Sequence, residues 1–335
     1  MKSPLKSILL RHETVLLLIL AAEWCFFSAT GRNFSTLDNT FDILRHSAEI
    51  GLLALAMTAV ILTGGIDLSV GSLLGLCAVL FGTFWRDAHL SIWVAAVLTL
   101  LAGALAGGFN AALITWLRLP PLIVTLATFS LFRGLAEAIT HGVDTFTHFP
   151  EAFLFLGQER WLGLPAQLPI FFLFATGIWL LIHCTTFGRS FRAIGFSPDG
   201  ARYAGIPVER RLALVYVLAG LTAGLAAIIY TARLGQAKAD AGTGYELLAI
   251  TAVVLGGTSI FGGSGSVAGT LLGVAAIAVL NNGLVHVRQP REVAGMLTGI
   301  LLLAALSGSL LLKRLASLRH RWQSPPAARH SIGIL

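Results

Sequence analysis

The chain has 335 residues, of which 56% are hydrophobic and only 12% are charged. Ordinary soluble domains carry about 25% charged residues, so this composition excludes a water-soluble globule and predicts an all-α polytopic membrane protein. The net charge of +7 is not gathered into a basic stripe interleaved with aromatic residues, which argues against a nucleic-acid-binding protein.

Long apolar runs predict about ten transmembrane helices, because a helix needs about 20 residues to cross about 30 Å of hydrocarbon. The runs lie near residues 14–30, 48–64, 67–85, 91–117, 121–140, 168–185, 211–232, 245–258, 265–285 and 293–313. They form one predicted transmembrane domain, 14–313, after a short segment, 1–13.

The charged start of the chain resembles a signal peptide. Glu23, Trp24 and the lack of a convincing small-x-small cleavage site favour an uncleaved first span.

A polar, glycine-rich break separates the second and third predicted spans. In lipid, irregular backbone survives only where protein packs around it or where it lines a wet cavity. We therefore expect Gly64, Gly65, Asp67 and Ser69 to form either a packing joint or part of a translocation path. A charge at membrane depth costs at least about 2.5–3.5 kcal/mol. Asp67 has two compatible interpretations, an N-cap of the third helix or a contact for a substrate.

Several polar side chains further along the chain also fall at or within predicted spans. Asn110, Asn281 and Asn282 offer the donors and acceptors that a sugar-sized polyol needs in a passage, but amides also hold helices together. Glu246 begins the eighth span and is either a path residue or a carboxylate at a helix start. Glycines four residues apart predict close packing between helices. These pairs are Gly71 and Gly75, Gly103 and Gly107, Gly220 and Gly224, Gly265 and Gly269, Gly269 and Gly273, and Gly295 and Gly299.

The segment between the sixth and seventh spans, residues 186–211, carries a Ser-Pro-Asp start and a Gly-Ile-Pro stop. This pattern predicts one short helix outside the membrane. The segment is either a charged connector or a docking helix for a partner.

A second break, which contains Gly256 and Gly257, resembles the first. In the predicted topology each break follows an inward-running span and precedes an outward-running one. A true repeat would therefore be a parallel copy, unlike the inverted repeats of many secondary transporters. Chance resemblance of two glycine-rich breaks is the alternative.

Basic residues in cytoplasmic loops set the orientation of membrane proteins. With the N-terminus inside, the inner segments hold 14 of the 23 basic residues and 3 of the 16 acidic residues. The outer segments hold 8 basic and 10 acidic residues. This asymmetry predicts that both termini are cytoplasmic. The end of the chain, residues 314–335, lacks apolar periodicity and is a predicted disordered tail.

Signatures of catalysis and of metal binding do not appear in the sequence. There is no G-x-x-x-x-G-K-[ST] loop, no H-E-x-x-H and no G-x-S-x-G elbow in a strand context. Cys25, Cys77 and Cys184 lie within apolar runs at spacings that fit no metal site. We therefore expect no catalytic residues, no metal and no cofactor bound by this chain.

Three motifs in order resemble the permease subunits of bacterial ATP-binding cassette (ABC) sugar importers of the ribose type. The first runs from Leu62 to Ser72, the second contains Gly188-Arg189, Ala201 and Gly205-Ile206, and the third runs from Gly242 to Gly265. The resemblance covers residues 40–313 approximately. Within the family, the stretch from Gly256 to Ser266 is most similar to the rhamnose and autoinducer-2 branches.

The resemblance implies a bundle like that of type II ABC importers, in the bacterial inner membrane. It implies a second permease subunit, identical or related, two cytoplasmic ATPases that hold ATP and Mg²⁺, and a periplasmic substrate-binding protein. It also implies a coupling helix that docks on an ATPase. The candidate coupling residues are Arg189, Gly195, Ala201, Arg202, Gly205 and Ile206.

Two other classes of protein remain as alternatives. An ion-coupled secondary transporter of a small polar solute would need protonatable residues along its path, for which Glu23, Asp67 and Glu137 are candidates. A structural membrane subunit would use its Asn and Asp residues only to join helices.

Overall fold

The computed structural model describes residues 12–290, 292–305 and 307, and this part of the chain is mostly helical. Its helices are α1 (His12–Thr30), α2 (Leu37–Leu62), α3 (Val70–Gly82), α4 (Ile92–Thr115), α5 (Pro121–Ile139), α6 (Glu151–Gln158), α7 (Leu168–Trp179), α8 (Thr186–Phe196), α9 (Pro198–Tyr203), α10 (Val208–Leu234), α11 (Tyr245–Leu255), α12 (Val267–His286) and α13 (Glu292–Ala305). Single π-helical turns extend α3 through Thr83–Asp87 and α7 through Leu180–Cys184. Strands β1 (Arg160–Trp161) and β2 (Leu164–Pro165) form an antiparallel hairpin. The predicted tail, 314–335, lies outside the described residues.

Seven of the described helices are long and apolar enough to cross a membrane. An eighth span results if α7 with its π-helical turn and α8 form one span, which is bent by 68°. The helices α11 and α13 are apolar but are shorter than 18 residues in the described part of the chain. The all-α polytopic class is therefore confirmed, whereas the count of ten spans is not.

The second span begins well before its predicted position. The side chain of Thr36 caps α2 by accepting from the Asn39 N–H at 3.3 Å, so the helix starts at Leu37. As a result, Glu49 lies in the middle of α2 and not at the start of the span, where the apolar run 48–64 would put it. Its Oε1 accepts from Arg233 Nε on α10 at 2.7 Å; Glu49 is completely buried and the Arg233 side chain is largely so. The sequence pattern did not predict this ion pair.

Glycine pairs bring several helices into backbone contact, as predicted. A Cβ added at Gly103 on α4 would collide with the Gly220 carbonyl on α10, and one at Gly107 would collide with the Tyr216 carbonyl. Close contacts of this kind favour van der Waals packing between membrane helices. The pair on α13 differs, because a Cβ at Gly295 or Gly299 would meet nothing within 4 Å in the described part of the chain.

The helix α10 runs from one end of the bundle to the other. It has 27 residues, which corresponds to a length of about 40 Å. At its start, Val208 packs with residues of α8 and α9. Near its end, the backbone of Arg233 lies against Gly157 of α6. The 186–211 and 141–167 segments therefore lie at opposite ends of the bundle, which agrees with the topology predicted from the charges.

Candidate functional site

The first helix break, residues 63–69, is held by hydrogen bonds around Asp67. Its Oδ1 accepts from the Ser69 backbone N–H at 2.8 Å and from the Ser69 hydroxyl at 2.6 Å. The same hydroxyl accepts from Asn110 Nδ2 at 2.9 Å. All three residues are buried. The break and the helices α3 and α4 thus share one polar network inside the bundle.

The prediction that Asp67 is the N-cap of α3 is wrong. The cap residue is Ser69, whose side chain makes no capping hydrogen bond. Asp67 lies two residues earlier and accepts the N–H of Ser69, which is the geometry of an Asx turn. The carboxylate therefore fixes the turn that leads into α3.

Both glycines of the first break are required by geometry. Gly64 has a φ of 82°, a left-handed conformation that glycine adopts without steric cost. A Cβ at Gly65 would lie 2.5 Å from the Tyr216 hydroxyl. That hydroxyl and Asn110 Oδ1 are buried and have no hydrogen-bond partner among the described residues. Unused hydrogen-bonding capacity therefore lies beside Asp67, and it suits a hydroxylated solute or ordered water.

Two residues of this network were not predicted from the sequence. The Thr125 hydroxyl on α5 donates to the Ile66 carbonyl at 3.2 Å and so holds the break from a third helix. Tyr216 approaches the break from α10. Each is a polar side chain within a long apolar run, and no period or motif in the sequence marks it.

The second break, residues 256–266, contacts the first break directly. The Gly263 N–H donates to the Leu62 carbonyl at 3.0 Å. A Cβ at Gly256 would collide with backbone in the first turn of α12. Three glycines of this break have a positive φ, namely Gly257, Gly262 and Gly263. The two similar sequences therefore correspond to two loops that touch at the same end of the bundle.

Gly195, in the last turn of α8, lies where the two breaks meet. A Cβ at Gly195 would collide with the Leu62 carbonyl oxygen and with the Gly263 nitrogen, which are hydrogen-bonded to each other. A Cβ at Gly262 would lie 2.8 Å from the Gly195 Cα and 2.8 Å from the Gly64 nitrogen. The 186–211 segment therefore touches both breaks backbone to backbone. This three-way contact is called the glycine junction below.

The short helix predicted in the 186–211 segment is confirmed as α9. Ser197 caps it by accepting from the Gly200 N–H at 3.1 Å. Its end is marked by Gly205, whose φ is 79°. Ala201 is buried against Ile194 and Val208, so α9 is fixed to α8 and α10. The helix α8, which precedes it, was not predicted.

The exposed face of α8 and α9 carries both aromatic and charged side chains. Phe196 is 89% exposed and Tyr203 is 94% exposed. Arg189 and Gly205 are also exposed, whereas Ile206 is half-buried. This surface has the exposed aromatic residues that are enriched in protein interfaces.

Arg202 is held in place on this surface by two carboxylates. Its guanidinium donates to Asp199 at 2.8 Å and to Glu209 at 2.9 Å. The hydrogen bond to Glu209 raises the pKa of Arg202 above its ordinary value. Arg202 therefore presents a fixed positive charge beside Tyr203.

Glu246 lies in another part of the bundle, against the glycine face of α3. A Cβ at Gly71 would collide with Glu246 Oε2, and one at Gly75, a turn later, would lie 2.6 Å from Arg133 Nη1. Arg133 donates to two backbone carbonyls of the loop before α11. Gly71 and Gly75, the glycine pair that the sequence predicts for helix packing, thus make room for the oppositely charged side chains of Glu246 and Arg133.

In the described part of the chain, no three His, Cys, Asp or Glu side chains are grouped as a metal site requires.

The adjacent amides Asn281 and Asn282 have different surroundings. Asn282 and Asn39 exchange two hydrogen bonds of 2.9 Å each, which join α12 to α2. His286 adds a contact of 2.8 Å to Asn39 Oδ1. Asn281 instead lines a cavity between α11, α12 and α13. The residues predicted for a path are therefore divided among the two breaks, the α3 face, this cavity and an interhelical amide pair.

Comparison with known proteins identifies the family. Residues 39–306 match the family described as "Branched-chain amino acid transport system / permease component". The chain is similar to the "Autoinducer 2 import system permease protein LsrD" of Yersinia enterocolitica, with 40% identity over 264 residues that cover 77% of this chain and 80% of the relative. It is also 42% identical to the protein of that name from Photorhabdus luminescens, over 77% of this chain and 79% of the relative. No solved structure matches the chain at a significant level.

These matches confirm the resemblance that the three motifs indicate, including its autoinducer-2 branch. The family match covers both breaks and the whole of the 186–211 segment. The chain is a member of the branched-chain amino acid transport system permease family.

Proposed function

We propose that this chain is the permease subunit of an ABC importer that moves autoinducer-2, or a small polyol such as ribose or rhamnose, across the bacterial inner membrane. The observation that carries the proposal is the glycine junction, where the 186–211 segment contacts both helix breaks. Close-packed interiors transmit displacements. A partner that moves α8 and α9 from outside the membrane therefore moves both breaks. The relatives, which are autoinducer-2 import permeases by name, support the solute class.

The proposed importer contains further subunits. Two cytoplasmic ATPases hold ATP and Mg²⁺ and dock on α8 and α9, while this chain binds no cofactor. A second permease subunit, identical or related, completes the membrane part. A periplasmic binding protein delivers the solute to the end that contains the 141–167 segment. Both termini of the chain are then cytoplasmic, in agreement with the distribution of basic residues.

The polar groups near the first break suit a neutral, hydroxylated solute. Asp67 and Asn110 offer acceptors, and the Tyr216 hydroxyl is a donor without a partner among the described residues. Hydroxyl groups of a polyol match such a mixed set. Solute transfer then requires that the two access states bind the solute with different affinity, which ATP binding and hydrolysis on the partners impose.

Uptake by a reconstituted system tests this function. The chain is placed in liposomes with its ATPase partners, its second permease and its binding protein, and uptake of autoinducer-2, ribose and rhamnose is measured. We expect uptake that requires ATP and stops when the binding protein is left out. Uptake that an ion gradient drives without ATP would instead support the ion-coupled transporter. No uptake under any condition would support a structural subunit.

The docking surface on α9 gives a separate expectation. Tyr203→Ala removes an aromatic side chain that is 94% exposed, and a central aromatic residue at an interface is often worth about 2 kcal/mol or more. We expect the affinity for the ATPase to fall roughly 30-fold, with a parallel fall in ATP-driven uptake. Co-purification over a range of ATPase concentrations measures the effect. Leu173→Ala, at an exposed apolar position on α7, is the control and should retain wild-type binding. Equal binding by the Tyr203 and Leu173 variants would place the docking surface elsewhere.

A further inference from the structure

An open groove runs between α11, α12 and α13. It has a volume of about 550 Å³ and is lined by apolar side chains together with Thr243, Thr251, Asn281, Gln289 and Thr298. Ligand sites in proteins commonly have volumes of about 300–1,000 Å³ and combine an apolar lining with a few polar groups. The groove therefore has the size and the lining of a site for a small molecule.

Glycines keep this groove open. A Cβ at Gly244, Gly295 or Gly299 would meet nothing within 4 Å among the described residues. Glycines on the packed face of α12 behave differently, since a Cβ at Gly269 or Gly273 would collide with the backbone of α11 or of the turn after it. The groove glycines are therefore not used for packing within the described chain. Larger side chains at these positions would fill the groove.

Two polar side chains of the groove, Asn281 and Thr298, keep hydrogen-bonding capacity. The hydroxyl of Thr298 donates to a carbonyl of its own helix at 2.8 Å, which leaves an oxygen lone pair as an acceptor. Thr251 makes the same kind of bond at 2.7 Å but is completely buried. The amide of Asn281 makes no side-chain hydrogen bond within the described residues, whereas the amide of Asn282 is fully engaged with Asn39. An unpaired amide at membrane depth is unfavourable against lipid. It is satisfied by a solute with hydroxyl groups or by water.

We propose that the groove is a binding site for the transported solute, a small polyhydroxylated molecule, with Asn281 as its central contact. Asn281 donates to and accepts from hydroxyls of the solute, and Thr298 accepts a further hydroxyl proton. The apolar walls pack against the C–H groups of the solute. The inference rests on the proposed import function and names the solute class and the residues that contact it.

Three variants in the complete reconstituted importer test the site, with autoinducer-2 as the probe. Asn281→Leu keeps the side-chain size and removes the amide, Gly299→Leu fills the groove, and Gly177→Leu is the control. Gly177 lies on α7 and also has nothing within 4 Å of an added Cβ in the described part of the chain. We expect Asn281→Leu to weaken apparent solute affinity about tenfold, as loss of one hydrogen bond does. Gly299→Leu should abolish uptake, and Gly177→Leu should transport normally.

Co-purification of each variant with the ATPases separates solute binding from assembly. The proposal is supported if both variants assemble normally, Asn281→Leu takes up the solute with the weakened affinity and Gly299→Leu loses uptake. It is overturned if Gly299→Leu fails to assemble, because the groove is then a packing face for another subunit, or if both transport normally, because the groove then holds lipid. If Asn281→Leu does not insert, Asn281→Ala carries the same test. If the wild-type importer takes up autoinducer-2 and the Asn281 variant does so with the same affinity, the groove is not the binding site but the proposed function stands. If the wild-type importer itself shows no uptake, the proposed function is overturned as well.

Discussion

Replacement of Gly195 by valine is expected to abolish ATP-driven uptake while the chain still inserts into the membrane. The Cβ of the new side chain would occupy the place where the Leu62 carbonyl and the Gly263 N–H are hydrogen-bonded. The first atom belongs to the last residue of α2, directly before the first break, and the second belongs to the second break. The variant must therefore separate α8 from both breaks or break the hydrogen bond that joins them.

The size of this effect follows from the energy of overpacking. Added methyl groups in a close-packed region cost about 1–3 kcal/mol, which changes an equilibrium between two states about 5–150-fold. Because the junction connects the docking segment to the breaks, this cost applies to the equilibrium between the access states. Global stability depends on many other contacts and should fall less.

Uptake and ATP hydrolysis by the complete importer are the measurements. We expect the Gly195→Val importer to retain ATP hydrolysis that no longer drives uptake. Gly177→Val, at a helical glycine with free space around it, is the matched control and should resemble wild type. Normal uptake by Gly195→Val would mean that the junction does not carry motion between the ATPases and the breaks.

Loss of either partner of the Glu49–Arg233 pair is expected to destabilise the folded chain by about 3–5 kcal/mol, because the remaining charge is buried without its partner. Glu49 is completely buried and the Arg233 side chain is only 10% exposed. Replacement of both by apolar residues of similar size removes both charges. The double variant Glu49→Leu/Arg233→Met should therefore recover most of the stability.

Unfolding in detergent, followed by helical circular dichroism, measures these differences. The expected order of stability is wild type, then the double variant close to it, then Glu49→Leu and Arg233→Met well below. Asp87→Asn, which breaks an exposed pair with Arg86, is the control and should change stability by only about 0–1 kcal/mol. A double variant as unstable as the two singles would show that packing around the pair, and not the charge, controls stability.

Several features of this protein follow from the sequence alone because they depend on local chemistry. Hydrophobic runs predict membrane helices, since the bilayer requires long apolar segments. The glycine-rich break that contains Gly64 ends α2 where the sequence predicts it, and the Ser197 and Gly205 signals correctly bound α9. The spacing of Gly103 and Gly107 predicts that α4 packs closely against another helix, and the structure shows that this helix is α10.

The tertiary structure decided which polar residues meet and which are paired. Asn281 and Asn282 are adjacent in sequence, yet one lines a groove and the other joins two helices. Gly195 is an ordinary glycine in the sequence, and only the fold places it between two breaks that are far from it along the chain. The ion pair of Glu49 with Arg233 likewise spans α2 and α10. Such contacts depend on how helices rotate and pack against one another, whereas the apolar runs and turn signals specify only each segment.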